Sequence, residues 1–236
     1  MIDIQAESGL TGLIPMLSRH PRVASVSEGA NGISFSSNGW HREVRVADRD
    51  CELAGLVELM DNNPLVCADV VSVLPANAVL PTIAVGPLAQ AGLLVEAPTV
   101  MTSLEADEED LAYWLTRSDW RGGVTVSHSE LELGTVVAVT VIAAITTPPD
   151  PSDIDDLFEE RYGRSFFIQR NESDPWDTKL VQGTNKAVYR LRWTPDEPHS
   201  LLTIQLMADL NGKLGAGQLV HCFNVMNGFE ESLALA

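Results

Sequence analysis

A chain of 236 residues with 45% hydrophobic and 20% charged side chains can bury a full core, as one large domain or two modest ones. A formal charge of -18 at pH 7 works against phosphate backbones and anionic membranes, which need an excess of Lys and Arg, so neither nucleic acid nor membrane is expected as a partner. Cys51, Cys67 and Cys222 fall in no CxxC or Cys/His spacing, and no basic-then-apolar leader follows Met1; reduced thiols, no metal site and a cytoplasmic protein are expected.

The first predicted strand is "IDIQ" (2–5), followed by a small-residue turn and helical spacing through "LTGLIPMLSRHP" (10–21), with Pro15 in the first turn, where a missing N–H costs little. "VASVS" (23–27) predicts a strand, and the alternation of 32–50 around Asn38-Gly39 predicts a hairpin. "CELAGLVELMDNN" (51–63) has the spacing of a helix, and "ADVVSVLP" (68–75) that of a buried strand. A helix is predicted over 80–94 with Gly92 as its cap, and another over 105–119, whose carboxylates suit the positive end of the helix dipole.

"GGVTVSHSE" (122–130) and "LGTVVAVTVIAAITT" (133–147) read as strands, and "PPDPSDIDDLFEERYG" (148–163) as a helix with Ser152 as N-cap. Strands follow at 165–170, 185–193 and 200–209, and a last helix runs from Gly215 to Gly228. The strand within 133–147 is too apolar to face water and must be covered by helices or by a partner.

Three blocks resemble the N-acetyl-gamma-glutamyl-phosphate reductases, within the aspartate-semialdehyde dehydrogenase superfamily. The first, "IQAESGLTGLIPMLSRHPRVASV" (4–26), is similar to the family's opening strand, its dinucleotide turn Ser-Gly-x-Thr-Gly and a helix ending in Arg-His-Pro. The second, "ADVVSVLPANA" (68–78), resembles a strand ending in Leu-Pro at the cofactor cleft. The third joins "GTVVAVTV", "DIDDLFEERYGRSFFIQ", "VQGTN" (181–185, for the family's Val-Arg-Gly-Ser-Asn) and the closing "DLNGKLGAGQLVHCFNVMNGFEESLAL" (209–235).

The resemblance implies an α/β protein. A truncated Rossmann-like nucleotide-binding domain would occupy 1–98, and an α+β dimerisation domain with a mixed or antiparallel sheet 99–208. A C-terminal helix, 209–236, would return to the first domain. It implies NADP as the cofactor, held by Ser8, Gly9, Thr11 and Gly12 at the turn and by Lys213, Gly217 and Gln218 of the closing motif, with Gly183, Thr184 and Asn185 at the substrate. It also implies a homodimer, or a hetero-oligomer with an active homologue.

The family's chemistry is missing from the residues. Its cysteine nucleophile lies in Asn-Pro-Gly-Cys-Tyr-Pro-Thr, and the nearest match, 76–94, has Val79 in the cysteine's place; in a second alignment the whole segment is deleted. The family's His-Arg-His segment has no counterpart, and His128 in "VSHSELELG" is the nearest candidate base. Cys67, before a buried strand, reads as core, and Cys51, after a charged turn, as exposed. Ala6 replaces the first glycine of the phosphate turn and Glu7 adds a carboxylate, at a cost of roughly 1–4 kcal/mol against a phosphate some 4 Å away, so loss of NADP is expected. The expected function is a non-catalytic relative kept for binding or assembly. The alternatives are a divergent NADP-dependent oxidoreductase or other enzyme acting on an acidic amino-acid derivative, and a nicotinamide-nucleotide sensor.

Overall fold

A computed structural model describes every residue except Ala30, Asn38 and Ala236, and resolves two compact units, 1–75 with 210–236, and 76–209. In chain order the elements are β1 (Ile2–Ala6), α1 (Leu13–Ser18), β2 (Val23–Glu28), β3 (Ile33–Ser37), β4 (Trp40–Val46), β5 (Ala54–Gly55), α2 (Asn62–Cys67) and β6 (Val70–Val73). There follow α3 (Ala76–Gln90), β7 (Thr99–Thr102), α4 (Glu108–Leu115), β8 (Thr125–His128), β9 (Val136–Thr146), α5 (Ser152–Tyr162) and β10 (Ile168–Arg170). The last are β11 (Ala187–Thr194), β12 (His199–Asp209) and α6 (Gly217–Met226).

The sheet of the first unit runs β2-β1-β3-β4-β6-β5, with β3 antiparallel to both neighbours and the other pairings parallel. Alternation sets its faces. Ile4, Phe35, Ile33, Val44 and Val71 are buried against helices, with Phe35 edge-on to Phe223 of α6 at 4.9 Å. Ser37 pairs with Trp40, and Gly39 at φ 78 supplies the left-handed residue of the hairpin; Asn38, the other half of that predicted signal, lies outside the described residues.

The helix predicted over 51–63 does not form. Ala54 and Gly55 instead pair with Ser72 and Val73 as the edge strand β5, a 3-10 turn covers Val57–Leu59, and helix begins only at Asn62. Leu53, Leu56, Val57 and Met60 have a spacing that suits a helix, but main-chain pairing to β6 is a distant contact that outweighs it.

Arg42 falls in the inward phase of β4 and is buried without a carboxylate in its hydrogen-bond set. Its guanidinium donates to Leu65 O (3.0 Å), Val66 O (2.9 Å) and Ala68 O (2.9 Å) at the end of α2, and to Met226 O (2.6 Å) at the end of α6. One cation thus closes the carbonyl ends of two helices, where the helix dipoles favour positive charge, and the Trp40 ring lies 4.2 Å away.

The second unit is a sheet ordered β10-β11-β12-β9-β7-β8. β9 and β12 pair antiparallel along their whole length, from His199 with Thr146 to Asp209 with Val136. Val137, Val139, Val141, Ala143 and Ile145 of β9 are buried on the face that carries α3, against which α4 and α5 pack, and Tyr162 of α5 donates to Ile83 O of α3 at 3.0 Å. α3 is apolar on every side and begins at Ala76, earlier than predicted. Its neighbours α4, α5, β9 and β12 all belong to the second unit, so the units part at Pro75, whereas the sequence division was drawn at 98. Gly92, at φ 66, ends it as expected. Ser152 is not the N-cap of α5 but its first residue; Pro151 holds the cap position, and Asp150 before it accepts from Ser152 N at 2.9 Å.

Replacing Arg42 with Met leaves several buried carbonyls without a donor and is expected to lower unfolding free energy by about 3–5 kcal/mol in urea melts. Arg42→Lys, whose single ammonium cannot reach both helix ends, is expected to fall between the two. A wild-type midpoint in the Met variant would contradict the double-cap role.

Candidate functional site

The turn after β1 is the place where a nucleotide phosphate is expected, and a carboxylate occupies it. Glu7 N donates to Gly32 O at 2.9 Å while Glu7 Oε2 accepts from Gly32 N at 3.0 Å, so the side chain folds back and clamps the start of β3. A Cβ built on Gly9 would meet Glu7 Oε1 at 3.6 Å, which places the other oxygen over the turn. Gly32 has no substitute here: its φ is +93, and a Cβ would stand 2.1 Å from Val44 O. Ser8, Gly9 and Thr11 are exposed on this turn, and Gly12 takes φ 85 at the entry to α1.

The neighbour of β1 is equally important. In open α/β sheets ligands sit at the crevice where strand order switches direction. Here β1 has parallel β2 on one side and antiparallel β3 on the other, with Ala6 opposite Ile33. The end of β1 therefore lies beside the start of the hairpin.

The closing motif lies inside the first unit. Lys213 is fully buried and pairs with Glu58, from the 3-10 turn that replaced the expected helix. His221 stands between two carboxylates, its Nε2 3.0 Å from Glu231 and its Nδ1 3.7 Å from Glu58. Burial works to raise the Glu58 pKa, but the charges of Lys213 and His221 outweigh it and hold the carboxyl below its ordinary value. The hydrogen bond from His221 likewise holds Glu231 low, against its burial.

Gln218 donates to Leu74 O at 2.9 Å and Leu214 O at 3.0 Å, and Gly217 is buried at the start of α6. Gly215 must be glycine, since a Cβ would meet Leu210 O at 2.5 Å. His20, of the Arg-His-Pro block, bonds Asn224 Oδ1 at 2.8 Å and accepts from Arg22 N at 3.1 Å, which fixes its proton on Nε2. Asn224 in turn donates to Glu231 O and Leu233 O, binding the C-terminal tail. The first and third blocks of the resemblance thus meet through hydrogen bonds that serve packing. Lys213 and Gln218 spend their described bonds inside the unit, on Glu58 and on main-chain carbonyls.

In the second unit, Gly183 at φ 70 donates its N–H to Asp209 Oδ2 (2.9 Å), which also accepts from Thr135 Oγ1 (2.7 Å). Thr184 Oγ1 donates to Val181 O at 2.8 Å, and Asn185 follows in the same turn. His128 is exposed at the end of the edge strand β8. α3 runs unbroken through Val79, which is buried, so neither alignment of 76–94 supplies a nucleophile.

The thiols reverse their expected placement: Cys51 is buried and Cys67 exposed. Burial pushes the Cys51 thiol up, and it donates to Leu53 O at 3.2 Å; burial pushes Cys222 up to about 12. Cys67 borders an open cavity of about 580 Å³ lined by carboxylates and Arg45 and by no His. Among the described residues no group of His, Cys, Asp or Glu is arranged to hold a metal, and no helix is long and apolar enough to cross a membrane. Sequence reasoning missed Glu58 and Arg42; Arg42 is a charge set in the apolar phase of β4, whereas Glu58 falls on the polar side of the helical spacing of 51–63 and gave no signal.

No family model matches the chain. It is 30% identical over 122 residues to the N-acetyl-gamma-glutamyl-phosphate reductase of Bacillus amyloliquefaciens, which covers 50% of this chain and 35% of that protein. It is 33% identical over 107 residues to the reductase of the same name from Akkermansia muciniphila, 44% of this chain and 30% of that one. The match spans about a third of the length of these curated relatives. Among solved structures, aspartate semialdehyde dehydrogenase II from Vibrio cholerae matches with a TM-score of 0.62 at 13% identity, over 94% of this chain and 97% of that one. The chain is thus related to these reductases and has the fold of the semialdehyde dehydrogenases.

Glu58→Gln strands a buried ammonium and is expected to cost about 3–5 kcal/mol at pH 7, whereas the apolar pair Glu58→Leu with Lys213→Met recovers most of it. Because the folded pKa values of Glu58 and Glu231 are depressed, their contribution is present above the ordinary carboxylate range and is lost as pH falls through the folded values. Wild-type melting temperature should therefore drop on acidification below about pH 4.5, and less steeply in the double variant. Parallel acid profiles would contradict the role of the pair.

Proposed function

We propose that this chain is a non-catalytic relative of N-acetyl-gamma-glutamyl-phosphate reductases that works by association, with a second copy or with a homologous reductase subunit. The observation that carries the reading is the clamp of Glu7 on Gly32 at the turn where phosphates would bind. A carboxylate fixed there opposes a dinucleotide, and a buried valine stands where one alignment puts the nucleophile. The oxidoreductase and sensor alternatives both need that turn to accept phosphates, and no observation favours them.

The face of the second sheet opposite its helices supports association. Register places Thr140, Ile142 and Ala144 of β9 beside Gln205, Thr203 and Leu201 of β12, while Ala138 and Met207 at one end are already packed against Trp176, Leu180 and Val181. Met101 continues the Thr140 row and is 41% exposed, and Leu201 is 44% exposed. Arg190 of β11 bonds Gln205 at the margin of this face, and the small, β-branched and thioether side chains beyond it suit a protein partner better than water.

Sedimentation at micromolar concentration should give an associated species for the wild type, alone or with a homologous reductase, and a monomer for Ile142→Glu, which sets a charge at the centre of the face. Turnover of an acyl phosphate with NADPH should not exceed the protein-free rate. A wild type that stays monomeric in both mixtures, or one that turns over substrate, would overturn the proposal.

A further inference from the structure

We propose that the uncovered face of the first sheet is a docking surface for an extended, Lys/Arg-bearing segment of a partner protein, separate from the association face of the second unit. Parallel strands usually carry helices on both faces. Here α1, α2 and α6 gather on one face, and the other carries short polar side chains in register. Ser27, Gln5, Ser34 and Glu43 form one row across β2, β1, β3 and β4. Ser25 with Asp3, and Ser36 with His41, lie beside it, and Arg45 pairs with Ser72 farther along.

The face is furrowed. One depression of about 450 Å³ is bounded by Asp3, Gln5, Ser25, Ser34, Ser36 and His41, and a second of about 430 Å³ shares Gln5, Ser34 and His41 with it. The second meets the cavity beside Cys67 at Arg45 and Asp48. From β2 to β6 the trough crosses four interstrand gaps of about 4.8 Å, roughly 19 Å, which an extended segment of about six residues spans.

Charge chooses the occupant. Asp3, Glu43, Asp48, Asp50 and Asp69 border the trough, and Arg45 is the Lys or Arg among the described lining residues. Arg45 is already shared by Glu43 at 2.7 Å and Asp48 at 2.8 Å, so it cannot balance the rest. His41 leans on Glu43 at 3.2 Å. Serine rows leave depth for long side chains, whose ammonium or guanidinium heads would meet carboxylates and hydroxyls, and the -18 charge of the chain would speed encounter.

The test uses an alternating Lys/Arg hexapeptide as probe, titrated into the isotope-labelled full chain. Amide shifts should concentrate at Ser25, Ser34, Ser36 and His41, a readout that needs no variant. Affinity should fall tenfold or more in Asp3→Asn with Glu43→Gln and Asp48→Asn. It should change less than twofold in Glu105→Gln with Glu109→Gln and Glu160→Gln, which removes equal charge elsewhere. No shifts, shifts spread over the surface, or equal losses in the two triple variants would overturn the proposal.

Discussion

Glu7 holds Gly32 twice, through the main chain and through its carboxylate, and this fixes the β3–β4 hairpin against the end of β1. Much of the first unit follows from that attachment. Gly32 must take a left-handed φ beneath Val44 O to let β3 begin there. β3 then separates β1 from β4, so the two are not adjacent in the sheet. The same hairpin brings Arg42 to the ends of α2 and α6 and turns serines to the outer face.

Two buried cations are accommodated in different ways. Arg42 uses main-chain carbonyls at helix ends, which need no counter-carboxylate and give each N–H a fixed acceptor. Lys213 uses Glu58, and His221 and Glu231 extend that pair to the tail. A buried ion pair adds little over an apolar pair but penalises the loss of either partner severely. This gives the closing motif a structural role in the first unit. Lys213, Gln218 and Asn224 each hold a main-chain or side-chain partner in the first unit, and so they keep α6 and its tail in place.

Much of this was legible in the sequence. Alternation identified β1, β3, β4 and β12, the apolar run identified β9, and Gly92 marked the end of α3. The segment 51–63 was not legible, because its helical spacing competes with a pairing to Ser72 and Val73 that lies outside any local window. The clamp was half legible: Glu7 was singled out as a misplaced charge, but its acceptor role needs Gly32, 25 residues away. Arg42 could have been found by asking why a charge keeps the inward phase of a strand, which for a folded chain means a partner in the interior, whereas Glu58 is turned inward only because β5 and a 3-10 turn replace the helix. The exposure of Cys67 and burial of Cys51 depend on where α2 ends and β5 pairs, which residue type alone does not carry.

The most direct measurement is a calorimetric titration of the wild-type chain with NADPH. With Glu7 seated at the phosphate turn, the account predicts no affinity tighter than about 1 mM. Saturable binding in the micromolar range would contradict it, since the turn would then have to release Gly32 and accept phosphate beside a carboxylate.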